Sequence, residues 1–262
     1  MLDFIFYYSQ LALTLARLLG VRFVPGKGLE GVVGKVLAQV MIYHNSQNFE
    51  FRNRELTRLS LLASELTDIE AHSSALLAKF RNVYRYNRAD YYGFRIEVAT
   101  ASFFIRRNID FDKTESPDYV VNRSNGEQMF VECGSAHLNK AQNRSVGYKI
   151  SSAVAGKVKL PYLNLRTALF VDVTNVIHHT LASQNYLQQS EIEALVRTEM
   201  RGQPIGATVL FFYMLDKDKD YFSHNSIRVD NEGIDPLLLG FLDEQFPEPV
   251  DEVSNYTIPN AG

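Results

Sequence analysis

Residues 116–135 read SPDYVVNRSNGEQMFVECGS, and the way this stretch folds decides how the rest is arranged. Tyr119-Val120-Val121 and Met129-Phe130-Val131 are apolar runs of strand length, and Asn125-Gly126 between them is a hairpin signal. Asn and Gly tolerate the positive φ that a tight turn between right-twisted strands demands. Asp118 then opens one strand and Glu132 closes its antiparallel partner, so both carboxylates come to one end of a sheet. Two such groups side by side repel unless a cation lies between them, and hard oxygen donors select a hard divalent ion. A metal site is the first functional expectation.

Outward from the hairpin, the residue period changes sharply. Helical patterning dominates the first hundred residues: Leu2–Leu19, Leu29 to about Tyr43, about Asn53–Ser64, Asp68–Tyr86 and Ala89–Arg107. Thr67 or Asp68 is placed to cap the fourth of these, with Glu70 in its first turn. Beyond them, a short strand near Ile109–Asp112 leads into the hairpin, and Gln142–Leu160 reads as a helix. Thr167–Val173 is a continuous apolar run of the kind covered on both faces. A helix over Tyr186–Met200, a buried-type strand over Ala207–Leu215, an edge strand at Ser226–Val229 and a helix over Pro236–Gln245 follow. The expected organisation is a helical N-terminal region (residues 1–88), an α/β domain (89–246) and a loose acidic tail (247–262).

Composition sets bounds on function. The lone cysteine, Cys133, allows no intramolecular disulfide and no cysteine-rich zinc site, which fits a reducing cytoplasm. Leu2–Leu19 is apolar but carries Asp3, Gln10 and Arg17, lacks a basic leader region and is short for a span, so a buried or partner-facing helix is expected rather than a membrane contact. A homodimer or a protein partner met through these N-terminal helices is the corresponding expectation. Net charge is −3, without the bulk basicity of a nucleic-acid binder. Its distribution is uneven: ten basic against six acidic residues over Phe51–Arg107, and three against eleven from Leu215 to the end. A positive middle can face phosphates, although solvated helix faces give the same counts.

Within Ala89–Arg107, the residues Phe94, Val98, Ala101, Phe104 and Ile105 fall on one helical face, and Glu97 lies in that stripe. A carboxylate on a core-facing stripe is costly unless paired or metal-bound. Glu97 is therefore a third candidate acid beside Asp118 and Glu132. Other constellations carry less. Gly34-Lys35 lacks the upstream glycine and following Ser or Thr of a phosphate loop. Asp216–Asp220 lacks the glycine and terminal Glu of a calcium loop. His178-His179 are adjacent and so cannot chelate one metal from a regular element, and no histidine stands at a diagnostic spacing from Cys133.

The order helix with Glu, strand, strand opened by Pro-Asp, strand closed by Val-Glu, helix, strand resembles the PD-(D/E)XK, or restriction-endonuclease-like, nuclease superfamily over about a third of the chain, residues 89–174. That superfamily includes restriction enzymes, resolvases, repair nucleases and anti-phage effectors. The resemblance implies a mixed central β-sheet with an αβββαβ core, here behind an N-terminal helical extension. It implies Mg²⁺ (or Mn²⁺) held by Asp118, Glu132, the Cys133 carbonyl and Glu97, and phosphodiester hydrolysis, with DNA as the expected substrate and restriction or phage defence as the context. Arg106, Arg107 and the Arg81/Arg85/Arg88 series are candidates for backbone contacts.

One position departs from the pattern. The family's lysine stands two residues after the strand Glu, where this chain has Gly134. In the family that lysine orients the attacking water and balances charge on the phosphate, and some members supply a substitute from the following helix. Lys149 is the first expected substitute, because the turn after Glu132 should deliver the first turns of that helix to the metal end of the sheet. Lys157 is the second and Lys140 the third. Gly134 also supports the other reading: a nuclease-like domain without catalysis, serving in nucleic-acid binding or protein interaction.

Overall fold

A computed structural model describes residues 2–24, 28–86, 91–136, 145–178, 185–216, 221–247 and 258–260. The chain forms two compact units, Met1–Ile109 and Asp110–Gly262.

The first unit is helical: α1 (Leu2–Leu19), a minimal antiparallel pair β1 (Phe23–Val24) and β2 (Gly28–Leu29), then α2 (Val32–Asn45), α3 (Phe49–His72), α4 (Ser74–Tyr86) and α5 (Tyr91–Arg106). Leu15, Leu18, Leu37, Leu59, Phe80, Phe94 and Phe104 are fully enclosed in its core. The break expected between Ser64 and Asp68 does not occur. Thr67 sits inside α3 and donates its hydroxyl to the Ala63 carbonyl, and the chain breaks instead at Ser73, whose Oγ accepts the Leu76 N–H. The expected boundary near residue 88 moves to 109, because α5 is tied to α3. Arg95 Nη1 lies 2.8 Å from Glu65 Oε2, and Asp68 Oδ2 accepts from Ser102 Oγ and Arg106 Nε, both at 2.7 Å.

The second unit is α/β: β3 (Phe111–Lys113), β4 (Tyr119–Asn122), β5 (Gln128–Ser135), α6 (Val146–Lys157), β6 (Thr167–Asp172), α7 (Thr174–His178), β7 (Asn185–Leu187), α8 (Gln189–Met200), β8 (Ala207–Asp216), β9 (Tyr221–Asp230), α9 (Pro236–Gln245) and β10 (Ile258–Asn260). Six strands make one mixed sheet in the order β3-β4-β5-β6-β8-β9. β3, β4 and β5 form an antiparallel meander, β6 and β8 run parallel to β5, and β9 closes the sheet antiparallel to β8. The Asn125-Gly126 turn behaves as its residues dictate: Gly126 takes φ 82°, and Asn125 Oδ1 accepts the Glu127 N–H.

Every residue of β6 is buried, as its unbroken apolar run requires. Leu169, Val171, Leu210, Phe212, Ile227 and Val229 pack with Ile150 and Val154 of α6 and Ile192 and Val196 of α8 in one core. Phe246, just after α9, meets Phe170 and Phe211 edge-on. Several expected bounds change, among them the helix expected over Tyr186–Met200, which begins at Gln189 after strand β7. α6 begins at Val146, capped by Ser145, whose Oγ accepts the Tyr148 N–H. The short edge strand at 226–229 is part of the ten-residue β9, held by its long pairing with β8. In the acidic tail, Ile258–Asn260 pairs antiparallel with β7. The Asp216–Asp220 segment beyond its first residue, and His179, lie outside the described residues.

Candidate active site

Asp118 immediately precedes β4. Tyr119 faces Val131 across the antiparallel ladder, so the next step along sets Asp118 opposite Glu132. Residues facing each other across strands share a side of the sheet. Glu132 in turn lies beside Leu169 of β6, which belongs to the core beneath α6 and α8. The two acids therefore occupy the α6 side of the sheet.

Both carboxylates are held firmly. Glu132 is 3% exposed; its Oε1 accepts from Lys157 Nζ at 2.6 Å and its Oε2 from the Tyr162 hydroxyl at 2.9 Å. Asp118 Oδ2 accepts the Cys133 backbone N–H at 2.8 Å, and its Oδ1 lies 3.3 Å from Lys113 Nζ. The Lys113 ammonium also donates to the Thr114 carbonyl at 3.0 Å and sits 5.0 Å from the centre of the Tyr119 ring. The turn that presents Asp118 is fixed by Thr114, whose N–H donates to the Asp118 carbonyl at 3.0 Å and whose hydroxyl donates to the Pro117 carbonyl.

Lys157 comes from the last turn of α6, and its side chain covers Gly134. A Cβ built on Gly134 would lie 3.5 Å from Lys157 Cγ and 3.7 Å from its Cε. Lys157 thus fills the space beside Gly134 while its ammonium rests on Glu132. Burial lowers the Lys157 pKa, but its hydrogen bond to Glu132 and the charges of Glu132 and Asp118 outweigh that and hold it above the ordinary lysine value. Tyr162 is pushed up to about 12, first by burial and then by its bond to Glu132. Both groups carry their protons at neutral pH and act as donors.

Lys149 does not share this position. It lies in the first turn of α6, where its backbone N–H bonds to the Ser145 carbonyl. Residues 136–145 separate β5 from α6, so the first helical turn is not obliged to stand at the end of β5. Lys140 lies outside the described residues. Cys133 is a buried thiol in the strand. Glu97 belongs to α5 of the helical unit, half-buried between Phe94 and Ala101 on its stripe. Of the arginine series, Arg81 donates to the carbonyls of Arg17 and Leu18, Arg106 is bound to Asp68, and Arg107 lies over Phe103; Arg88 lies outside the described residues. Lys113 and Tyr162 were not legible as site residues. Neither stands at an informative spacing from the acids, and only the meander and the loop after α6 bring them there.

Among the described residues no group of three or more His, Cys, Asp or Glu side chains is arranged to hold a metal ion. A pair of carboxylates is the kind of donor a hard ion such as Mg²⁺ accepts, since that ion takes one or two protein carboxylates and fills its remaining positions with water and substrate oxygens; here each of the four oxygens already accepts a hydrogen bond from the chain. Among the same residues no helix is long and apolar enough to cross a membrane. No family model, curated protein or solved structure matches this chain.

Proposed function

We propose that this protein is a metal-dependent nuclease of the PD-(D/E)XK type that hydrolyses phosphodiester bonds, with DNA as its substrate. The observation that carries the reading is the Lys157 ammonium on Glu132 with its methylenes over Gly134, because it restores the acid–lysine pairing that position 134 lacks. The order of a three-strand meander, a helix and a parallel strand agrees with the last five of the six elements of the αβββαβ pattern.

Asp118, Glu132 and the Cys133 carbonyl would hold the ion. When bound, Mg²⁺ polarises the scissile phosphate and makes the attacking water more acidic. Lys157 places a fixed positive charge beside the acids, where negative charge develops on the non-bridging oxygens. Tyr162 keeps Glu132 in one orientation, and the Cys133 N–H and Lys113 do the same for Asp118. Reacting groups gain most from such ordering when it is complete before substrate arrives.

Incubation with supercoiled and linear DNA in Mg²⁺, Mn²⁺ or EDTA tests the reading. Cleavage that needs the divalent ion and disappears in Glu132→Ala supports it; intact DNA under every metal sinks it. A second reading, a nuclease-like binding module without catalysis, is favoured by one fact: each carboxylate oxygen of the acid pair already accepts a hydrogen bond from the chain. DNA binding without cleavage in the same assay selects it.

A further inference from the structure

Among the described residues, six of the eight exposed large apolar side chains lie between Ile5 and Phe49. Exposed apolar residues scattered singly are ordinary, whereas a cluster marks a contact surface. Four of the six stand at one end of the helical unit: Ile5 and Phe6 in the first two turns of α1, Ile42 in the last turn of α2 and Phe49 at the start of α3. Ring contacts hold these three helix ends together. The Phe4 ring stacks on His44 at 4.1 Å, and His44 lies 6.3 Å from the Phe49 ring. The Arg52 guanidinium sits 4.9 Å from the Phe4 ring centre and 4.6 Å from that of Phe49. Ile5, Phe6, Ile42 and Phe49 are 41%, 68%, 56% and 47% exposed, so this end of the unit is an apolar tip. α1 by itself, with Gln10 and Arg17 among its apolar residues, carries no such signal; the convergence of three helix ends creates it.

Charge decides what covers it. Residues 1–109 carry fourteen Lys and Arg against nine Asp and Glu, a net of +5, whereas residues 110–262 carry thirteen against twenty-one, a net of −8. Two copies meeting at this tip would bring like charges together, which long-range repulsion opposes. Nucleic acid suits the charge but not the surface, since Ile5 and Ile42 offer neither a ring for a base nor a donor for a phosphate. An anionic lipid bilayer suits both: its surface attracts a basic unit, and its interfacial layer takes aliphatic and aromatic side chains. We propose that this tip docks the helical unit on anionic lipid bilayers, with Ile5, Phe6, Ile42 and Phe49 seated among the headgroups and upper acyl chains. Arg52, held over two rings, keeps its charge at headgroup level while its stem lies along the apolar surface. The proposal stands apart from the nuclease reading and needs neither metal nor catalysis.

The test is flotation of the full chain with vesicles of phosphatidylcholine alone, or of phosphatidylcholine and phosphatidylglycerol in equal parts. The chain should float with the anionic vesicles, less so as salt is raised, and stay behind with the neutral ones. In Phe6→Ser/Ile42→Ser both altered side chains are already more than half exposed, so the fold should survive, as a melting curve checks. This double variant should partition onto anionic vesicles about tenfold more weakly, because two apolar groups no longer leave water. Tyr148→Ser, which alters an exposed apolar side chain of the α/β unit, should float like the natural chain. No flotation with anionic vesicles overturns the proposal, as does equal flotation with both kinds of vesicle or a folded double variant that floats unchanged. Light scattering and DNA titration of the same proteins name the other occupants. A chain that does not float but forms a dimer lost in the double variant gives the tip to a second copy; DNA affinity lost in that variant, again without flotation, gives it to nucleic acid. Either result overturns the lipid assignment.

Discussion

Lys157 Nζ lies 2.6 Å from Glu132 Oε1, and its methylenes occupy the space that a side chain at position 134 would enter. The pairing is not a surface ion pair of little consequence, because the Glu132 side chain is only 4% exposed. A buried carboxylate is costly unless its oxygens are partnered, and Lys157 and Tyr162 are the partners of Glu132.

If the charge on Lys157 stabilises the transition state, Lys157→Ala should cleave DNA on the order of a hundredfold more slowly, about 3 kcal/mol, as for loss of one oxyanion donor. Lys149→Ala should cleave at close to the natural rate. Single-turnover rates at saturating Mg²⁺ separate the two, and a large loss in Lys149→Ala alone would return the role to that residue.

The lysine should also be transplantable. A Cβ at Gly134 meets Lys157 at ordinary contact distance, and Gly134 has no positive φ to forbid a side chain. The double variant Gly134→Lys/Lys157→Ala should therefore recover cleavage relative to Lys157→Ala. Recovery indicates that the ammonium's place matters and not its origin; a double variant as slow as Lys157→Ala argues that α6 must supply it.

Tyr162 gives a pH signature. Its pKa rises from the ordinary 10.0 to about 12, so folding favours the protonated form. The sign follows: this contribution is complete below the ordinary tyrosine value and is lost as pH rises through the raised one. The stability lost in Tyr162→Phe, measured by urea unfolding, should stay constant from neutral pH up to the ordinary value and shrink above it. A difference that grows with alkalinity would contradict the hydrogen bond to Glu132.

In the helical unit, burial separates two ion pairs of similar geometry. Arg95–Glu65 has side chains 5% and 6% exposed, whereas Arg17–Glu70 has side chains 57% and 34% exposed. Glu65→Ala should cost about 3–5 kcal/mol by leaving a buried guanidinium without this partner. Glu70→Ala should cost under about 1 kcal/mol. Thermal melts of the two variants decide, and similar shifts would show that α5 is not anchored through Arg95.

Gly34 tests the packing of α2. A Cβ there would fall 1.6 Å from the Leu29 carbonyl oxygen, a backbone atom that cannot turn aside. Gly34→Ala should lose on the order of 4 kcal/mol, in the range reserved for severe core clashes. A melting temperature equal to that of the natural chain would show that β2 can move away.

Local residue chemistry made the hairpin legible. Asn125-Gly126 selects a tight turn between two apolar runs, and an antiparallel ladder then leaves little freedom in where Asp118 and Glu132 stand. The buried strand β6 was legible for a similar reason, since an unbroken apolar run suits a strand covered on both faces. What lay beyond reach depended on contacts distant in sequence. The break in α3 moved because Thr67 can satisfy its hydroxyl on the Ala63 carbonyl inside a helix, so a capping residue type did not end one. The attachment of α5 to α3 rests on Arg95 and Glu65, thirty positions apart. That Lys157 meets Glu132 came from how α6 lies against the sheet, and helical periodicity alone places Lys149 and Lys157 on a similar face. Lys113 and Tyr162 reach the acids only because the meander and the loop after α6 converge there. Spacing along the chain determined which acids could meet, and packing alone decided which cations meet them.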